Sequence, residues 1–351
     1  MKDLEIVSLT KTYRTSAVVD GASFDLDKGE MIAILGPSGC GKTTTLRMVA
    51  GFVTPTGGRI LLRGKDITML PPNHRDMGMV FQSYALFPHM TVFDNIAFGL
   101  RAHGFPKAEL PGRVKEFLEL VGLGQLGKRY PRELSGGQQQ RVAVARVLAL
   151  RPQVLLFDEP LSNLDAKMRV QMRGEIRRLQ KDSGISALFV THDQEEAMVI
   201  ADRIVVMNNG KIEQVGTPDE IYDRPRSTFV ADFIGKTNLI GGRIQDGRFV
   251  TSSGLPLQVD LEEGLKANGA SISVSIRPEK LTLAAPAPGG ELVGRITRVT
   301  NLGSITETEI ELASGDVLTA QEQCGSSFQP RIIGDEVAVR WRPGDARLLT
   351  R

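Results

Sequence analysis

The chain has 351 residues, more than one hydrophobic core usually supports, so at least two domains are expected. Apolar residues at 41%, charged residues at 24% and a net charge of +2 exclude a disordered chain, a collagen and a disulfide scaffold, and leave no electrostatic footprint for nucleic acid. Cys40 and Cys324 form neither a disulfide framework nor a CxxC zinc spacing, and with no apolar N-terminal region and no membrane-length apolar window the chain is expected to be neither secreted nor membrane-spanning.

From Leu4 to about Thr228, short apolar runs alternate with helical patterns: MIAIL (31–35), VLLF (154–157) and ALFV (187–190) read as strands. Lys42 to Ala50, Gly136 to Leu150 and Ala166 to Lys181 read as helices, the last with Met168, Met172, Ile176 and Leu179 at helical spacing. Unbroken apolar strands between helices predict an α/β fold with a parallel sheet covered on both faces. Past about Gly235, segments such as SISVSI (271–276) and ETEIEL (307–312), separated by turn residues, predict a small antiparallel all-β barrel. LAAPAPGGE (283–291) carries too much proline for a central strand and reads as a surface loop. The expected domains are 1–235, with a helical subdomain at about 84–152, and 236–351.

MIAIL runs into GPSGCGKTT, where Gly36, Gly41, Lys42 and Thr43 satisfy G-x-x-x-x-G-K-[ST] between a strand and a helix. Such a loop curls backbone N–H groups around phosphate oxygens, so Gly36, Pro37, Ser38, Gly39, Cys40, Gly41, Lys42, Thr43 and Thr44 are candidate phosphate contacts. Lys42 would reach the β and γ phosphates, and Thr43 would hold Mg²⁺. Cys40, beside a cation and a helix N-terminus, is expected to have a lowered pKa and to react with alkylating agents, the alternative being a shielded filler residue.

Asp158 and Glu159 follow VLLF at a strand end, where parallel sheets open onto a ligand crevice. Asp158 is expected to hold Mg²⁺ through water and Glu159 to polarise an attacking water. LSGGQ (134–138) precedes another helix: Ser135 and Gln138 have capping-box spacing, while Gly136 and Gly137 lower helix propensity in a way that makes sense if a ligand approaches the backbone. The expectation is a second anion site.

Together with Gln82 after GMVF, LLFDEP, SNLD and His192, these motifs closely resemble the ATP-binding cassette ATPases over about 1–230. The resemblance implies a P-loop NTPase cassette that hydrolyses Mg-ATP in a head-to-tail homodimer, each phosphate loop facing the partner's signature helix. It further implies that Gln82 touches the metal and attacking water, that Asp165 crosses the dimer seam, that His192 contacts the γ-phosphate and that Tyr13 stacks on adenine, core packing being the alternative for Tyr13.

In QSYALFPHMTVFDNIAFGLR (82–101), Tyr84, Leu86, Phe87 and Phe93 would form an apolar groove if exposed, whereas spacing assigns Phe93 and Phe98 to subdomain core. This string resembles the coupling region of bacterial importer ATPases for polyamines, ferric iron, sulfate and sugars. DFIGKTNLI (232–240) and SIRPEKL (275–281) resemble their transport-associated OB-type domain. That implies a peripheral subunit on the cytoplasmic face of the bacterial inner membrane, docked on transmembrane permease subunits and served indirectly by an extracytoplasmic solute-binding protein. An exporter ATPase and a soluble cassette protein remain as alternatives. The string NHRDMGMVFQSYALFPHMTVFDNIAFGL is most similar to the polyamine group, which puts spermidine or putrescine ahead of ferric iron, aminoethylphosphonate, sulfate or sugar.

Overall fold

The computed structural model describes residues 1–245, 248–252, 254–257, 259, 272–286, 292–325 and 330–349. It divides into two compact units, Met1–Pro218 and Asp219–Arg351.

In the first unit, the strands β1 (Lys2–Tyr13) and β2 (Ser16–Asp27) pair antiparallel, and β3 (Met31–Leu35) leads into α1 (Lys42–Ala50). Next come β4 (Gly57–Leu62), β5 (Lys65–Asp66), β6 (Met77–Val80), then α2 (Val92–Ala102), α3 (Leu110–Leu120) and α4 (Gly136–Leu148). The chain returns through β7 (Val154–Asp158), α5 (Ala166–Ser183), β8 (Ser186–Thr191), α6 (Gln194–Ile200), β9 (Arg203–Asn208) and β10 (Lys211–Gly216). A small antiparallel sheet has order β2-β1-β4-β5, and the six-stranded sheet has order β10-β9-β3-β8-β7-β6.

Strands β9 to β6 of the larger sheet run parallel, and β10 adds an antiparallel edge. Every residue of β3, β7 and β8 is buried, which is why each reads as an unbroken apolar run. Met172, Ile176 and Leu179 of α5 are buried at helical spacing, as expected, with Met168 only partly covered. Behind α1, the buried Arg75 guanidinium donates to the carbonyls of Met48 and Val49 at 2.7 and 2.8 Å, satisfying the helix's C-terminal acceptors.

The second unit opens with the helix beginning at Pro218, α7 (Pro218–Asp223), and α8 (Thr228–Phe233), followed by β11 (Asn238–Gln245), β12 (Arg248–Thr251), β13 (Pro256–Leu257) and β14 (Ile272–Ile276). It continues with β15 (Thr282–Ala284), β16 (Leu292–Asn301), β17 (Ile305–Leu312), β18 (Val317–Gln323), β19 (Glu336–Arg340) and β20 (Ala346–Leu349). The all-β character holds from β11 onward, as two five-stranded antiparallel sheets, β13-β12-β11-β14-β20 and β15-β19-β16-β17-β18, around one apolar core that includes Phe249, Val274, Ile296 and Ile310. Leu283 and Ala284, read as loop, form the edge strand β15; residues 287–291 of that stretch and Ser271 lie outside the described residues.

The compact units part at Pro218, not at the 235–241 read from texture. Arg277 donates to the carbonyls of Tyr222, Ala231 and Lys236, so the segment carrying α7 and α8 is tied to β14, a link no local pattern announces.

Candidate active site

The parallel register sets the site. Leu35 of β3 pairs with Thr191 of β8, Val190 pairs with Asp158 of β7, and Phe157 pairs with Val80 of β6. Consequently the loop after Leu35, then His192, then Asp158 and Glu159, then Gln82 leave one edge of the sheet in that spatial order, at its C-terminal ends.

The loop Gly36–Gly41 is shaped by glycine where backbone crowds it. A Cβ on Gly36 would stand 2.2 Å from the Met207 carbonyl, and Gly41 has φ 105° with the Val18 carbonyl 2.6 Å from where its Cβ would be. At Gly39, φ 81°, the same position opens onto free space, leaving a cradle a ligand can approach. The buried Lys42 donates from Nζ to the Gly36 and Pro37 carbonyls at 2.7 and 3.0 Å, which places its ammonium at the loop's mouth.

Thr43, in the first turn of α1, hydrogen-bonds the buried Asp158 carboxylate, and Arg47 Nη2 stands 3.6 Å from Asp158 Oδ2. Burial pushes the Asp158 carboxyl above its usual range, Arg47 and Thr43 hold it down in part, and Glu159 adds to the rise. A hydroxyl and a carboxylate, both hard oxygen donors beside a phosphate cradle, fit Mg²⁺.

Glu159 sits in the left-handed region at φ 46°, fixed by its N–H donating to Val190 O at 3.1 Å and by Ser162 Oγ donating to its carbonyl at 2.9 Å. Its Oε2 lies 3.1 Å from His192 Nδ1. His192 is presented by a built turn: Thr191 Oγ1 accepts from Asp193 N–H, and Asp193 caps α6. Gln82 is exposed, and its carbonyl accepts from Asn163 Nδ2 at 2.9 Å, joining this loop to the SNLD segment. Tyr13 ends β1 half-exposed with Lys11 Nζ 4.8 Å above its ring, an open aromatic face rather than core.

Ser135 and Gln138 form the capping box of α4, at 2.9 and 3.4 Å. The glycines beside them have a packing reason: a Cβ on Gly137 would meet Met168 Cε at 2.3 Å, and one on Gly136 would meet Leu164 at 3.1 Å. Asp165 caps α5 by accepting from Met168 N–H at 2.9 Å. Signature and SNLD therefore pack on each other. Among the described residues no hydrogen bond or ion pair joins Ser135–Gln138 to Gly36–Thr43.

Three expectations need correcting. Cys40 is buried, and burial raises its thiol pKa, Lys42 opposing it only in part, so the lowered pKa does not hold. Tyr84 is buried and cannot line an exposed groove. Phe98 is not subdomain core: it is 42% exposed, 4.5 Å from the Phe87 ring. Sequence reasoning missed Arg47, Asn163 and Arg146, whose guanidinium donates to the Tyr84 and Ala85 carbonyls at 3.0 and 2.7 Å.

Comparison with known proteins agrees with this geometry. Residues 19–162 match the ABC transporter family and residues 274–349 the TOBE domain. The chain is 44% identical to the spermidine/putrescine import ATP-binding protein PotA of Thermobifida fusca, over 99% of this chain and 93% of that one. It is 49% identical to the Fe(3+) ions import ATP-binding protein FbpC of Rhizobium etli, over 92% of each. Among solved structures, cbiO1 of Clostridium perfringens, part of the ABC transporter complex cbiONQ, superposes with a TM-score of 0.59 and 31% identity, covering 63% of this chain and 90% of that one. The chain belongs to the ABC transporter family, as an ATPase of the import ATP-binding kind with a C-terminal TOBE domain.

Proposed function

We propose that the chain energises an importer by binding and hydrolysing Mg-ATP in a head-to-tail homodimer docked on separate permease subunits at the cytoplasmic face of the membrane. The observation that carries this reading is the shared sheet edge from which the phosphate loop, His192, Asp158, Glu159 and Gln82 emerge. In it, the Gly36–Thr44 loop and Lys42 bind the phosphates, Tyr13 receives the adenine, and Thr43, Asp158 and Gln82 hold Mg²⁺, which supplies charge neutralisation on the phosphates when bound. Glu159 takes the proton of the attacking water, and His192, hydrogen-bonded to it, steadies that carboxylate beside the γ-phosphate. Ser135–Gln138 and Asp165 act on the nucleotide of the other copy, which accounts for their lack of a bond to their own loop. All these residues precede Asp219, so the second unit contributes no nucleotide contact.

Glu159→Gln keeps the size and one acceptor but not the basicity. Turnover should fall by roughly 10² to 10⁴, about 3 to 5 kcal/mol of barrier, while Mg-ATP binding persists and light scattering shows a dimer. Wild-type turnover would remove Glu159 from this role, and ATP binding by a strict monomer would remove the sandwich.

A polyamine is the favoured cargo, because NHRDMGMVFQSYALFPHMTVFDNIAFGL is most similar to that group and a 44% identical relative is named for spermidine and putrescine; a relative named for ferric iron supports the second choice. Copurification of the permease and a comparison of spermidine, putrescine and ferric iron as stimulators of ATP turnover separates the two.

A further inference from the structure

The second unit holds a cavity of 240 Å³ whose wall includes Arg224, Arg277, Lys280 and Arg347 against Asp223 and Asp345, four cations and two carboxylates. Arg277 is 4% exposed, yet all the acceptors it reaches are neutral: Nε and Nη2 donate to Tyr222 O at 3.3 and 2.9 Å, and Nη1 donates to Ala231 O and Lys236 O at 2.9 and 3.1 Å. Among the described residues it forms no ion pair. The Tyr222 ring lies 4.2 Å from the guanidinium, and the nearby Glu279 is engaged with the Tyr222 hydroxyl at 2.7 Å. Buried charge is ordinarily matched by opposite charge in contact; here dipoles and a π-face make the contacts, while Glu279 and Asp223 act on the guanidinium without an ion pair to it. Burial accordingly lowers the Arg277 pKa.

Donors remain for a ligand. A guanidinium has five N–H groups, and the four bonds of Arg277 to described residues leave one on Nη2. Among the described residues Arg347 is engaged only through Nε, to Asp223 O at 3.2 Å, so its terminal fork is unspent. Lys280 meets Asp345 only at 4.0 Å. The lining charge is +2, four minus two, and stays positive with the neighbouring Glu279 counted, which favours an anion; guanidinium forks suit phosphate oxygens. The volume is several times the ~30 Å³ share of a water, enough for a phosphate bearing a small organic group. An adjoining hollow shares Lys280 and Asp345 and is lined by Trp341, giving that group an aromatic wall.

We propose that this cavity binds a small phosphate monoester, with Arg347, Lys280 and the remaining Arg277 N–H as its donors. The proposal is independent of the nucleotide site.

Trp341 is the only tryptophan of the chain, so its fluorescence reports on this unit alone. The full chain is saturated with Mg-ADP to fill the phosphate loop and titrated with glycerol 3-phosphate, with inorganic phosphate and succinate as parallel arms. A saturable fluorescence change and matching calorimetric heat are expected for glycerol 3-phosphate, weakened at least roughly tenfold in Arg347→Gln with basal ATP turnover unchanged. Lys280→Gln, on a partly exposed side chain, decides the matter where Arg347→Gln fails to fold. Absence of saturation at millimolar glycerol 3-phosphate, or equal binding by the folded variants and wild type, overturns the site. Equal affinity for succinate or inorganic phosphate overturns the ester assignment.

Discussion

Among the described residues Glu159 is one of nine non-glycine residues with positive φ, and it lies next to Asp158 at the end of β7. That conformation costs on the order of 1 to 3 kcal/mol, and it is held by the Val190 carbonyl and the Ser162 hydroxyl rather than by the carboxylate. Glu159→Gln therefore changes the chemistry without releasing the strain, which makes it a cleaner probe than glycine. Cys40 illustrates the opposite relation between position and reactivity. Motif context placed a cation and a helix N-terminus beside the thiol, but the side chain is sealed at 4% exposure and burial outweighs Lys42. In the native chain Cys40 should alkylate at least about tenfold more slowly than the partly exposed Cys324, and the two should equalise in denaturant. Mass spectrometry after limited iodoacetamide treatment reads this directly; equal native rates would mean the loop opens far enough to expose the sulfur.

Between elements, α4 grips the segment that follows Gln82. Tyr84 and Ala85 are consecutive left-handed residues, φ 60° and 48°, and Arg146 of α4 donates to both carbonyls. Asn95 of α2 fixes the next stretch by accepting from Phe87 N–H and donating to the carbonyls of Phe87, Met90 and Thr91. The signature helix and the Gln82 loop are thus mechanically one piece. Arg146→Ala should lower stability by about 2 to 4 kcal/mol, and Arg146→Lys, which keeps charge but not the fork, by less. Both should reduce kcat more than ATP affinity, because the loop that carries Gln82 loses its anchor; full kcat in a folded Arg146→Ala would sink the idea. None of this was legible beforehand. MIAIL and VLLF disclosed themselves because strands buried on both faces must be apolar throughout, and the phosphate loop because its glycines are demanded by the Met207 and Val18 carbonyls. Arg146 and Arg47 act on backbone or side chains 62 and 111 residues away at most, with no local pattern to mark them, and Asn163, though inside SNLD, acts on Gln82, 81 residues away, a partner the motif does not name. In sequence the two signature glycines point to a ligand's approach, whereas contact with Met168 and Leu164 already requires small residues there.

At the scale of the whole molecule, the first unit depends on charge pairs that lock helices to the parallel sheet. Asp202 accepts from the Met31 N–H of β3 and pairs with Arg177 and Lys181 of α5. Burial works against its ionisation, yet the Arg177 hydrogen bonds, the Met31 N–H and Lys181 together pull its pKa down to about 2 from 3.8. A depressed carboxylate stabilises the fold above its unfolded pKa and loses that contribution as pH falls from near 4 towards 2. The contribution is on the order of 1 to 2 kcal/mol after allowance for solvent screening. Acid titration by circular dichroism should show Asp202→Asn less stable than wild type at neutral pH, with the gap closing below pH ~3; a constant gap would assign the loss to packing. The second unit is a different kind of object, one contiguous stretch from Asp219 onward. Its cationic cavity, from Asp223 to Arg347, is encoded entirely downstream of that junction. A single recombination event at codon 219 would therefore hand a different C-terminal unit to the same ATPase, or the same unit to another. Ligand preference in that cavity can be inherited separately from the hydrolytic machinery.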